Sequence, residues 1–89
     1  VPRVTFTGNL HRFVDCPPQE VRGETVREAL EAAFAQNPRV RGYVLDDQGG
    51  LRRHVVVFVG GKPVKDRRGL SDPAPGGAEI AVLQALSGG

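Results

Sequence analysis

Few side chains in this sequence are spaced to do chemistry. The candidates are His11, Cys16, His54 and Ser87, with the glycine pairs Gly60-Gly61 and Gly88-Gly89. His11, Cys16 and His54 match no zinc-ligand spacing, and one cysteine cannot furnish a four-thiolate or all-cysteine iron–sulfur centre. A solitary cysteine is more often a small hydrophobe, so no metal site is expected. A nucleophilic triad of Ser87, His54 and an aspartate needs its serine held rigidly against the base, but Ser87 is followed only by two glycines. Gly60-Gly61-Lys62 lacks the spacing and the Ser/Thr of a phosphate-binding loop. It reads as a hairpin turn, where both positions accept positive φ. What remains is Ser87-Gly88-Gly89 itself. Glycine packs nothing, and composition alone fits a frayed end. The chemical reading is a carboxylate on Gly89 with Ser87 and Gly88 as a narrow lead. Three extended residues reach about 10 Å, enough to thread a slot in which any Cβ would clash.

A rigid domain must deliver that end. The chain has 89 residues, room for one domain, here residues 1–86 with a flexible tail at 87–89. A chain of this size buries only about 60–65% of its unfolded surface, which argues against a deep enclosed active site. With 39% hydrophobic and 25% charged residues it is neither disordered nor collagen-like. A formal charge of +2 is far from a nucleic-acid arm. No apolar run approaches the roughly 18–20 residues of a membrane span and no charged-then-apolar leader is present. With a lone cysteine suited to a reducing compartment, a cytoplasmic location is expected.

Arg3-Val4-Thr5-Phe6-Thr7 alternates polar and apolar residues and predicts a strand. Phe13-Val14 and Gln19-Glu20-Val21 flank Pro17-Pro18, which suits an edge strand, so a first hairpin is expected between residues 3 and 22. Thr25 and Glu28 form a capping-box pattern. Val26, Ala29, Leu30, Ala33 and Phe34 then make one apolar helical stripe. Asn37-Pro38 is expected to stop the helix. Residues 54–59 predict a strand rich in β-branched and aromatic side chains. A short edge strand over residues 62–64, a wandering connection over 65–77 and a last strand over 79–86 complete the order β-β-α-β-β-β. The expected architecture is α+β, one mixed sheet with a single helix across one face.

That order, the Val57-Phe58-Val59-Gly60-Gly61-Lys62-Pro63-Val64 hairpin and the closing Ile80-Ala81-Val82-Leu83-Gln84-Ala85-Leu86-Ser87-Gly88-Gly89 resemble the ubiquitin-like sulfur carriers of the MoaD/ThiS type, which have the β-grasp fold. The resemblance covers essentially the whole chain. It departs where Gly60 replaces the usual Asn and Ser87 the usual Ala. It implies a protein cosubstrate rather than an enzyme, with no cofactor of its own. A partner of the ubiquitin-E1 type would adenylate the Gly89 carboxylate with ATP and Mg. A sulfurtransferase would convert the adenylate to a thiocarboxylate, and a sulfur-accepting synthase would consume it. A processing protease joins the partners if a precursor extends beyond Gly89. The segment at residues 46–54 resembles longer family members that serve cysteine or thio-metabolite biosynthesis. Thiamine thiazole and molybdopterin stay open.

Strand alternation puts Val55, Val57, Val59, Ile80 and Val82 on one face of the sheet, with Val56, Phe58, Ala81, Leu83 and Ala85 on the other. A single helix leaves the second face uncovered. Phe58, Leu83, Val56, Ala81 and Leu86 are therefore the expected partner-binding residues beside the tail, on the face that ubiquitin-like proteins present to their activating enzymes. A register shifted by one would exchange the faces. Two rival functions use the same sequence. Conjugation to lysines, in the manner of ubiquitin, starts from the same adenylate. Arg52, Arg53, Lys65, Arg67 and Arg68 could mark an RNA-binding β-grasp module, but five aromatics with no stacking pair argue against it.

Overall fold

The computed structural model describes residues 2–8 and 18–84. Strands β1 (Arg3–Gly8) and β2 (Gln19–Glu20) are antiparallel neighbours, with Arg3 opposite Glu20 and Val4 opposite Gln19. Strand β3 (Val55–Val59) turns through Gly60 and Gly61, at φ 57° and 84°, into the two-residue β4 (Lys62–Pro63). This is the expected hairpin, with both glycines in the left-handed region it requires. Strand β5 (Glu79–Gln84) lies between β1, to which it is parallel, and β3, to which it is antiparallel. The sheet order is β2-β1-β5-β3-β4. β5 therefore sits at the centre of one mixed sheet. Residues 85 and 86 of the expected last strand lie outside the described residues, as do residues 9–17 of the first hairpin.

Helix α1 (Val26–Gln36) forms where the stripe requires it, and Val26, Ala29, Leu30, Ala33 and Phe34 are all buried. Its first amides are orphans of the helical ladder, and each finds an acceptor. Val26 N–H donates to the Asp72 carbonyl and Arg27 N–H to the Leu70 carbonyl, both at 2.9 Å. Glu28 N–H donates to Thr25 Oγ1 at 3.2 Å, and the regular ladder begins with Ala29 N–H donating to the Thr25 carbonyl at 3.0 Å. The Glu28 carboxylate accepts from Glu24 N–H at 3.0 Å, one residue before the capping residue that the sequence pattern names. Gly23 permits this close entry, because a Cβ there would lie 2.6 Å from the Ala29 nitrogen.

The single-helix expectation needs correction. Asn37-Pro38 ends α1, but Pro38 also opens a second helix, α2 (Pro38–Val44), which buries Val40 and Val44. Proline is tolerated at the first helical position, where its missing N–H has no acceptor to lose. The core then joins Leu30, Val40 and Val44 to Val4, Val57 and Val82 across one face of the sheet, all at 0% exposure.

The connection over residues 65–77 has no regular structure but is firmly tied. Asp66 accepts from Gly69 N–H at 2.8 Å and Ser71 Oγ–H at 2.6 Å. Asp72 accepts from Lys65 N–H and Asp66 N–H, each at 2.9 Å. These bonds hold Leu70 at φ 55° with its side chain fully buried. Hydrogen bonds from the Ser71 hydroxyl and the Gly69 and Ser71 amides lower the Asp66 pKa to about 2. The backbone amides of Lys65 and Asp66 lower that of Asp72.

Candidate functional site: the second face of the sheet

The residues of β3 and β5 alternate in burial as the pleat requires. Val55, Val57, Ile80 and Val82 are fully buried beneath the helices, and Val59 is part-buried against the same core. Val56, Phe58, Ala81 and Leu83 point the other way and are half-buried. The register places Val56 opposite Leu83 and Phe58 opposite Ala81, with Thr5 on the far side of Ala81 and Pro63 on the far side of Phe58. Four of the five expected partner-binding residues thus form one contiguous apolar strip across the middle of the sheet. The fifth, Leu86, lies outside the described residues with the tail residues Ser87, Gly88 and Gly89. The shifted register, which would have buried Phe58, does not occur.

Strand β5 runs along this strip toward the tail. Its last described residue, Gln84, is paired with Gly8 of β1 and Val55 of β3. The two ladders fix the direction of β5 as far as Gln84. On the strip itself the described side chains are apolar apart from Thr5, so the surface can bind a partner and has no group to transfer a proton.

The other candidates separate. His54 is exposed in the turn before β3, while His11, Cys16 and Ser87 lie outside the described residues. Among the described residues no group of three His, Cys, Asp or Glu could hold a metal. The five cations that could have formed an RNA surface do not act as one patch. Arg68 is committed to Asp46 at 2.7 Å and Gln48 at 3.1 Å, and the Arg68 guanidinium pulls the Asp46 pKa down to about 2. Lys65 lies by an open groove of about 320 Å³ beside β4, with Val59, Lys62, Pro63, Asp72, Pro73 and Pro75. Arg27 was not singled out by the sequence, where it reads as one exposed helical position. Its guanidinium donates to the carbonyls of Gly49, Arg68 and Gly69 at 2.6, 2.9 and 3.1 Å, clasping two loops to α1.

A mixed five-stranded sheet, a helix laid across one face and a strand that delivers a Gly-Gly end agree with the family comparison, in which the ThiS family model matches residues 4–89. The chain belongs to the ThiS family. It is a ubiquitin-like β-grasp protein of the sulfur-carrier type, and such proteins are small carriers rather than enzymes. Solved structures agree on the fold. SAMP1 from Haloferax volcanii is 26% identical with a TM-score of 0.76, over 99% of this chain and 98% of that one. A chain of the Amycolatopsis orientalis BexX/CysO complex is 21% identical with a TM-score of 0.80, over 100% of both chains. CysO from Mycobacterium tuberculosis, described as an antigen, is 19% identical with a TM-score of 0.77, over 97% and 100%. No curated protein matches this ThiS-family chain. No helix among its described residues is long and apolar enough to cross a membrane.

Proposed function

We propose that this ThiS-family protein carries sulfur as a thiocarboxylate on Gly89. The observation that carries the reading is a family match running through residue 89, onto a Ser-Gly-Gly end that follows the central strand of the sheet. A carboxylate is a poor acyl donor, because oxide is a poor leaving group. Attack of the Gly89 carboxylate on the α-phosphorus of MgATP forms an acyl-adenylate and releases pyrophosphate. The terminal sulfur of a persulfide on a sulfurtransferase then attacks the acyl carbon and expels AMP. A second thiol of that enzyme cleaves the S–S bond, forming a disulfide and freeing the thiocarboxylate. An acceptor synthase takes the sulfur. The domain's task is to bring its end to successive active sites, so proximity comes from docking, with the Val56, Phe58, Ala81 and Leu83 strip as the docking face.

The cytoplasm, where a reactive sulfur is kept reduced, is the proposed location. The loop at residues 46–54 favours cysteine or a thio-metabolite as the product. Intact mass of the protein from its native cell tests the reading. Gain of one sulfur for one oxygen, confined to a peptide ending in Gly89, supports it; an end that is never thiolated overturns it. A second reading is favoured by the resemblance to SAMP1, which other structures describe as a small archaeal modifier protein. Attack of a lysine amine on the acyl carbon of the adenylate would expel AMP and give an isopeptide, visible as a ladder of adducts in extract.

A further inference from the structure

The two ends of the sheet differ in the charges that stand beside their cations. The β1–β5 and β3–β5 ladders put Gly8, Gln84 and Val55 at one end, with Arg3, Glu79 and Val59 at the other. Residues 85–89 follow from the first of these ends. Just before Val55, a turn is closed by the Val55 N–H donating to the Arg52 carbonyl at 3.0 Å. Arg53 and His54 form its exposed tip.

This turn is braced on several sides. Arg52 N–H donates to the Val44 carbonyl at 3.0 Å, and Arg52 Nε to the Gly42 carbonyl at 2.7 Å. Arg67 Nη2 donates to the Arg52 carbonyl at 3.0 Å, which brings a third guanidinium to the same turn. Among the described residues, none of Arg52, Arg53 and Arg67 is in a salt bridge. The salt bridges among the described residues use Arg27, Arg41 and Arg68. At the opposite end, by contrast, Arg3 has Glu20 and Glu79 as its two cross-strand neighbours.

We propose that Arg52, Arg53 and Arg67 form a cationic collar at the tail end, and that it docks on acidic side chains rimming the slot of the protein that accepts the tail. The inference rests on the carrier reading above and adds a recognition element to it. Three features support it. The cations stand at the turn that leads into Val55, the residue paired with Gln84, after which residues 85–89 follow in sequence. No carboxylate among the described residues is in a salt bridge with them. Two of them are already fixed by hydrogen bonds to backbone, so less side-chain freedom is lost on docking. A protein rim is the occupant proposed over nucleic acid, because the three collar residues are cations and none of them is itself an aromatic ring on which a base could stack. Phe58 sits further along β3, opposite Ala81 and Pro63. Rim charges act mainly on the encounter rate and its salt dependence.

Stopped-flow association with the adenylating enzyme, at low and high salt, tests this. Arg53→Glu is the probe, since Arg53 is exposed at the tip of the turn. Lys62→Glu, at the hairpin end, changes net charge equally and serves as the control. The collar predicts an association rate about tenfold lower for Arg53→Glu at low salt, converging with wild type at high salt. It also predicts an unchanged ATP–pyrophosphate exchange rate at saturating carrier, and near wild-type association for Lys62→Glu. Equal slowing by both variants, or by neither, overturns it. So does filter retention of transfer RNA by the wild type that Arg53→Glu abolishes. Wild-type protein that is never adenylated removes the carrier reading and the collar together. Wild-type association by Arg53→Glu with exchange intact removes the collar alone.

Discussion

Strands β3 and β5 present two faces made of nearly the same residue types with opposite fates. Val55, Val57, Ile80 and Val82 are buried under α1 and α2, whereas Val56, Phe58, Ala81 and Leu83, one residue along in each case, stay half-exposed. Residue chemistry does not separate them, since valine stands on both faces of β3. What separates them is the helical layer. A hydrophobic face with a helix over it is core, and the same kind of face without one is left open to a partner.

The comparison is easiest to break from the helix. Leu30 is fully buried in the centre of the α1 stripe. Leu30→Ala should cost about 2–5 kcal/mol, a large part of the roughly 4–13 kcal/mol available to a chain this size. Thermal melting checks it, and an unchanged midpoint would mean the stripe is not packed. Adjacent residues sharpen the contrast next. Val57→Ala, on the covered face, should lose about 1–3 kcal/mol, while Val56→Ala should lose about 1 kcal/mol or less. Equal losses in denaturant titrations would show that the faces are energetically alike.

Acid reaches the covered side through its loop. Asp46 and Asp66 have pKa values of about 2 against an ordinary 3.8. A depressed carboxylate stabilises the fold above its unfolded pKa and stops doing so as pH falls through the folded one. Melting temperature should therefore hold above about pH 4 and drop between about pH 4 and 2. Asp66→Asn, which gives up the charge, should shallow that drop. Phe58→Ser is the smallest effect on stability, about 1 kcal/mol or less, yet it should weaken docking on the activating enzyme. A collapse of melting with Phe58→Ser would contradict the half-buried placement.

Much of this contrast is legible in the sequence, because helix α1 announces itself through Thr25, Glu28 and a five-residue stripe, whereas Ile80/Val82 and Ala81/Leu83 are all apolar and leave the faces of β5 to be settled by the observed register. Helix α2 is not legible. Seven residues with Gly42 inside are too few for a periodic signal, and Pro38 carries opposite meanings before and at a helix start. Leu70 is the other case. It stands among Gly69, Ser71 and Pro73 in a stretch that reads as solvated loop, and its burial depends on Asp66 and Asp72 folding back on local amides. Such bonds are set by tertiary closure and not by spacing. For the function, the informative residues are the last three, which the sequence singles out by type and which lie outside the described residues.

Exchange of labelled pyrophosphate into ATP by the activating enzyme, compared between the full chain and a chain lacking Gly89, tests the central claim most directly. The core is built from residues 4–82, so the deletion should melt with the full chain while exchange disappears. Exchange that continues without Gly89 would contradict the account.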